Sequence, residues 1–177
     1  MKFLDTPLAG LVLIEIEPAQ DDRGFFARTF CAETFRQHGL DPHVAQASTA
    51  FSARRGTLRG MHYQREPHAE TKLVRCTSGA VYDVAIDLRP GSATFRRWYG
   101  IELTRRNRQM LYIPGGFAHG YLTLEDDSEI SYQMSTPYQA EAAAGVRWDD
   151  AAFGIRWPQP VTTIHDRDRT YPDFLPR

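Results

Sequence analysis

The side chains in this chain best placed to move protons are a small set. Six histidines occur, and two of them, His62 and His119, lie close to a glycine at the edge of an apolar stretch. An imidazole with its ordinary pKa of about 6.5 gains and loses a proton near neutral pH, so such residues suit general acid–base chemistry. The same residues could bind a metal together with His68 or Glu70. That set is poor, because His62-Tyr63-Gln64 supplies one ligand where a metal site wants two. His38 closes a predicted helix, where a cation suits the dipole, and His43 sits beside Pro42; neither is given a role. Lysine is the other informative type. Of 21 basic residues only Lys2 and Lys72 are lysines, so Lys72 stands where an ordinary solvated position would have carried arginine.

These groups must be held by strands. Glycine and proline punctuate the chain at short intervals, and the segments between are rich in Val, Ile, Tyr, Phe and Thr. That rhythm belongs to an all-β sandwich or barrel. Strands are predicted over 12–16, 25–30, 44–49, 58–64, 72–77, 80–88, 98–103, 110–113, 119–124 and 129–134. One helix is predicted from Ala32 to His38, stopped by Gly39. From Tyr138 onward the chain reads as irregular structure packed on the barrel. Alternation puts Lys72, Val74 and Cys76 on one face, and Val81, Asp83, Ala85 and Asp87 on one face of the next strand. Charges among apolar residues suggest a polar pocket inside the barrel. For Asp83, mid-strand, pocket and solvent are evenly balanced; Asp87, at a strand end, is expected to be solvated.

The whole chain, 1–177, fits one domain with a sizeable core. A net charge of -1 argues against an electrostatic nucleic-acid binder. The longest apolar run, Leu8 to Ile14, is far short of the roughly 20 residues that cross a bilayer, and no secretory pattern opens the chain. Cys31 and Cys76 match no zinc or redox spacing, which fits reduced thiols in the cytoplasm.

Pro114-Gly115-Gly116-Phe117-Ala118-His119 matches P-x-G-x-x-H, the core of the second cupin motif, in which a turn delivers a histidine into a β-barrel. His62 falls where the first cupin motif would lie, without its H-x-H. Several blocks together resemble the dTDP-4-dehydrorhamnose 3,5-epimerase family: Asp22-Arg23-Gly24-Phe25-Phe26, Arg59-Gly60-Met61-His62-Tyr63-Gln64, Lys72-Leu73-Val74-Arg75-Cys76, residues 82–89, residues 113–120, Trp157-Pro158 and Arg167-Asp168. The resemblance implies a cupin-like jelly-roll β-barrel with a few short helices. It also implies a homodimer and a nucleotide-linked substrate, a dTDP-4-keto-6-deoxyhexose, inverted without cofactor or metal.

Inverting a carbon beside a ketone needs a base, a group to hold the enolate oxygen and an acid on the far face. By resemblance His62 is the base, Asp168 its dyad partner, Lys72 the enolate holder and Tyr132 the acid. Without the family match Asp168 would read as part of a solvated charge run. His119 and Asp83 resemble a second polar pair in the pocket. Arg59 and Arg23 resemble diphosphate ligands, a role that suits guanidinium. Gln46 and Ser48 fall in the stretch that holds the nucleotide-sugar, and Phe26 and Tyr138 could stack on the base. Arg23 and Phe26 are expected to serve the neighbouring protomer. Arg59 and His62 are three apart, so a regular strand would send them to opposite faces; a bulge, or a place for Arg59 at the barrel mouth, would reconcile them.

Two positions depart from the family. Ser48 stands where many relatives carry asparagine, which bears on nucleotide preference. His165 stands where relatives often carry serine, and is read as a surface filler. The alternatives are an epimerase acting at one carbon only, a metal-dependent cupin and a non-catalytic sugar-binding barrel. One geometric condition decides between the enolate chemistry and its absence: the side chains at 62 and 72 must open into a common cavity.

Overall fold

In the computed structural model, which describes residues 1–175, the chain forms fourteen strands and two short helices. In order these are β1 (Lys2–Asp5), β2 (Val12–Glu15), β3 (Ala19–Asp21), β4 (Gly24–Phe26), α1 (Ala32–Gln37), β5 (Gln46–Ser52), β6 (Thr57–Gln64), β7 (Lys72–Ser78), β8 (Ala80–Asp87), β9 (Trp98–Thr104), β10 (Met110–Ile113), β11 (Phe117–Thr123), β12 (Ser128–Met134), β13 (Ala143–Gly145), β14 (Thr163–Ile164) and α2 (Asp166–Arg169). One sheet runs β1-β2-β10-β7-β12-β5 and the other β13-β6-β11-β8-β9, with β14 parallel to β6. The last two residues of the expected 1–177 domain lie outside the described residues.

The sheets face each other across a core that draws on both. Val74, Cys76, Leu111, Ile113 and Ile130 come from the first, and Val81, Ala85, Leu103, Phe117 and Tyr121 from the second. Strand alternation explains this set: Val74 and Cys76 project inward from β7 and Val81 and Ala85 from β8. Each large apolar side chain so buried contributes about 1.5–3 kcal/mol. The outer faces are not bare. Phe35 of α1 packs on Val12, Ile14, Leu73, Met110 and Tyr112 outside the first sheet. Val146 and Phe153, from the segment after β12, pack on Met61, Val84, Ile86 and Ala118 outside the second. This double cover makes β8 and β11 nearly continuous buried runs. The result is the expected all-β, cupin-like jelly roll.

Several boundaries differ from expectation. The predicted strand at 25–30 is a short arm of the exposed β3–β4 hairpin, and the one at 44–49 begins at Gln46 and runs to Ser52. Strands β1, β3, β13 and β14 lack the alternation that would have announced them. The helix ends at Gln37 with Gly39 at φ +70, as predicted for a left-handed stop. Both cysteines are free thiols.

Asp87 corrects an expectation outright. It is completely buried, not solvated. One oxygen accepts Nε of Arg89 at 2.9 Å and its backbone N–H at 3.0 Å; the other accepts Nη2 of Arg89 at 2.7 Å and the hydroxyls of Ser92 and Thr94 at 2.6 Å each. Burial alone would raise its pKa, but the guanidinium and the two hydroxyls hold the carboxyl well below the usual carboxylate range. The charge is kept at the strand end to tie down the turn after β8.

Candidate active site

Strand β6 brings two side chains of opposite parity to one space through a local irregularity. Its neighbour β11 pairs His119 with His62 and Tyr121 with Arg59, so two steps along β11 oppose three along β6. The extra residue is accommodated at Gly60, whose φ of +135 suits glycine and whose missing Cβ leaves room for Gly120; a Cβ there would sit 2.5 Å from the Gly120 Cα. Met61 is driven outward into the core beneath the later segment. Arg59 and His62 therefore both face a cavity of about 370 Å³ between the sheets. The bulge that would reconcile the two residues is present.

The cavity is lined by His62, Lys72, His119, Tyr132, Arg59, Gln46, Ser48 and Tyr138, together with Tyr63, Gln64, Glu70, Tyr121, Arg167 and Tyr171 among others. The common opening required for residues 62 and 72 exists. Nε2 of His62 is 2.7 Å from Oδ1 of Asp168, while the other Asp168 oxygen accepts the Gly60 N–H at 3.1 Å. Asp168 itself does not line the cavity. It is 2% exposed and arrives on α2, far from the solvated charge run suggested by its neighbours. Burial raises its pKa, yet the bond to His62 and the His62 charge are the leading opposing influences and the net shift is downward. The carboxylate thus stays charged against the imidazole. Arg167 lies against the same pair, 3.3 Å from Asp168 and 3.2 Å from Nε2 of His62.

His165 is exposed, as expected for a surface position, and it has a local role as well. It is the N-cap of α2, and its Nδ1 accepts the Arg167 N–H at 3.1 Å, fixing the turn that presents Asp168.

Lys72, at the start of β7, is almost fully buried. Its Nζ donates to the His62 carbonyl at 3.1 Å and pairs with Glu70 at 2.9 Å. The second Glu70 oxygen accepts the Gln64 N–H at 3.1 Å, so Glu70 is committed to aiming the lysine. His119 stands opposite His62, and its Nε2 is 2.9 and 3.0 Å from the two oxygens of Asp83. Asp83 is fully buried behind His119 and is not among the cavity-lining residues, so it orients the ring from the rear. Tyr132 sits edge-on to His119 with ring centroids 6.0 Å apart. Burial, followed by the neighbouring Tyr121, holds the Tyr132 hydroxyl far above its ordinary pKa, so it carries its proton at neutral pH.

At the mouth, Arg59 donates to the Ser52 hydroxyl at 3.2 Å and to the Phe51 carbonyl at 2.9 Å. Gln46 accepts the Tyr138 N–H at 2.6 Å and ties the exposed Tyr138 to the rim. Arg23 and Phe26 are elsewhere. They ride on the β3–β4 hairpin outside this cavity; Arg23 pairs with Asp21, and Phe26 is 76% exposed.

An imidazole backed by a carboxylate, a buried ammonium and a protonated phenol around one cavity are groups able to transfer protons beside a carbonyl. The family model for dTDP-4-dehydrorhamnose 3,5-epimerase matches residues 5–175. The chain belongs to the dTDP-4-dehydrorhamnose 3,5-epimerase family. It is 43% identical over 175 residues to a dTDP-4-dehydrorhamnose 3,5-epimerase of Sinorhizobium fredii, covering 98% of this chain and 90% of the relative. The crystal structure of the Elizabethkingia anophelis dTDP-4-dehydrorhamnose 3,5-epimerase superposes with a TM-score of 0.95 at 37% identity, covering 98% and 96% of the two chains. A dTDP-6-deoxy-D-glucose-3,5-epimerase of Legionella pneumophila, solved in complex with dTDP-4-keto-L-rhamnose, superposes with a TM-score of 0.89 at 32% identity, covering 94% and 89%.

For this member of the epimerase family, several cavity residues had no role from sequence reasoning, Glu70, Arg167 and Tyr121 among them. Glu70 was visible only as a metal-ligand candidate, and its place two residues before Lys72 on the same side is the signal that links them. Arg167 was hidden in the charge run around Asp168. Tyr121 follows the P-x-G-x-x-H motif by two residues, the same inward parity as His119.

Proposed function

We propose that this chain inverts carbons 3 and 5 of dTDP-4-keto-6-deoxyglucose, forming dTDP-4-dehydro-L-rhamnose through enolates. The observation that carries the proposal is the shared cavity of His62 and Lys72, with Asp168 locked behind the imidazole. Nε2–H of His62 donates to Asp168, which leaves the Nδ1 lone pair to take a proton from the carbon beside the ketone. The imidazolium so formed is stabilised by the carboxylate. Lys72 faces the keto oxygen and stabilises the negative charge that develops there; one preorganised donor of this kind lowers such a barrier by about 3–4 kcal/mol. Tyr132 returns a proton to the opposite face. Its raised pKa keeps it protonated until the enolate is present.

His119, oriented by Asp83, assists as a polar wall. Arg59, at the mouth, suits a diphosphate contact, with Gln46, Ser48 and Tyr138 beside the nucleotide. All steps use side chains alone, with no metal or cofactor. The chain acts as a single domain, and its two free thiols fit the cytoplasm. We also read it as a homodimer. Strand β5 ends its sheet with an exposed edge, and Phe51 and Phe26 are exposed; Arg23 and Phe26, which lie outside this chain's own cavity, would then serve a second copy's.

Incubation with dTDP-4-keto-6-deoxyglucose in heavy water tests the reaction. Deuterium is expected at both carbons 3 and 5. Incorporation at one position alone would make this an epimerase of a single carbon.

A further inference from the structure

Tyr121 is 1% exposed, and its hydroxyl finds no hydrogen-bond partner of ordinary geometry among the described residues. Buried hydroxyls are nearly always paired, so an unpaired one that lines a cavity calls for a use. Its setting supplies one. Tyr121 projects from β11 and Tyr132 from β12 into the same packed cluster, and both line the cavity; the Tyr132 and Ser52 hydroxyls are near enough to Tyr121 to influence its ionisation. The Ser52 hydroxyl oxygen accepts from Arg59 Nε.

We propose that Tyr121 is a positioning residue for the acid: its hydroxyl donates a hydrogen bond to the Tyr132 oxygen when that oxygen becomes a tyrosinate. The inference rests on Tyr132 being the acid of the proposed reaction. In that step the Tyr132 O–H bond breaks and its electron pair stays on oxygen. The proton forms a C–H bond with the electron pair of the enolate carbon. The ground-state phenol needs no such donor, which is why the Tyr121 hydroxyl stands idle before the reaction. The proton taken by His62 later leaves to water while water returns one to Tyr132, so the cycle gains and loses none. Burial, and Tyr121 in any orientation in which it accepts rather than donates, make the Tyr132 tyrosinate costly to form, whereas nearby Arg59 makes it easier. A donor at Tyr121 acts in the same direction as Arg59, and only while the charge exists.

The test compares the parent with Tyr121→Phe and Tyr132→Phe, using dTDP-4-keto-6-deoxyglucose in heavy water and following deuterium exchange and inversion separately. Proton removal by His62 does not need the acid. Tyr121→Phe should therefore keep exchange near the parent rate while inversion falls about tenfold, the effect of one lost hydrogen bond to a charged group. KM should be unchanged, and Tm should equal or exceed the parent's because no hydrogen bond of the resting protein is removed. A merely structural fault would lower exchange and inversion together, and that result overturns the inference. A raised KM with unchanged kcat would make Tyr121 a substrate contact and also overturns it. If Tyr132→Phe abolishes inversion while Tyr121→Phe matches the parent in both rates, this inference alone fails. If Tyr132→Phe inverts normally, the acid is elsewhere and both fail.

Discussion

Replacing Asp168 by asparagine separates His62, the proposed base, from its counter-charge with almost no change of shape. In the parent a carboxylate oxygen lies 2.7 Å from Nε2 of His62. Two unit charges about 4 Å apart, centre to centre, attract by about 4 kcal/mol at an effective dielectric constant of 20. The His62 side chain is 34% exposed, so solvent screening brings this down to about 2 kcal/mol at the low end. Losing about 2–4 kcal/mol of stabilisation from the imidazolium lowers kcat by about 30- to 1,000-fold. Asp168 does not touch the cavity, so KM should hold within about threefold. The asparagine carbonyl can still accept the Gly60 N–H, so the fold should persist. Steady-state turnover of dTDP-4-keto-6-deoxyglucose, with circular dichroism to confirm folding, measures each quantity. A folded Asp168→Asn protein with kcat within threefold of the parent would show that the pair is not the base of this reaction.

Asp87→Ala should destabilise the protein by about 2–3 kcal/mol, since Arg89, Ser92 and Thr94 lose a shared buried acceptor; thermal unfolding reads this directly. Because the folded pKa of Asp87 is depressed, its contribution is full above the unfolded value of about 3.9 and fades as pH falls toward the folded one. The parent should therefore lose stability below about pH 4 more steeply than Asp87→Ala, as denaturant melts at several acid pH values would record. Gly60→Ala should abolish turnover and lower Tm, because its Cβ would meet the Gly120 backbone at 2.5 Å and its φ is strained for alanine. An active, stable Gly60→Ala protein would show that the bulge tolerates rearrangement.

The inner faces of β7 and β8 were legible because alternation alone sorts Lys72, Val74 and Cys76 from their neighbours. So was the turn delivering His119, whose Pro-Gly sequence has few conformational options. Asp168 was not legible from physics: local charge density announces solvent, whereas the side chain is buried by a partner more than a hundred residues away. Asp87 failed for the same reason, since the Arg89, Ser92 and Thr94 that satisfy it are ordinary turn residues until the chain closes around them. Alternation also assumes one wet face. The cover of Val146 and Phe153 over the second sheet removes that face and blurs the signal in β8 and β11. The placement of Arg59 beside His62 could be posed from the sequence only as a choice. The register along β11 resolves it.

The carboxylate behind the imidazole is carried by a single helical turn that follows β14 and so lies, along the chain, after every strand of the two main sheets. The residues of the central hydrophobic cluster therefore all precede, in the chain, the carboxylate that backs the histidine. Chemical competence depends on a late segment of the chain docking back onto a much earlier strand. A lesion that loosens that docking would leave a folded but idle shell, an outcome that measurements of solubility or secondary structure alone would score as healthy.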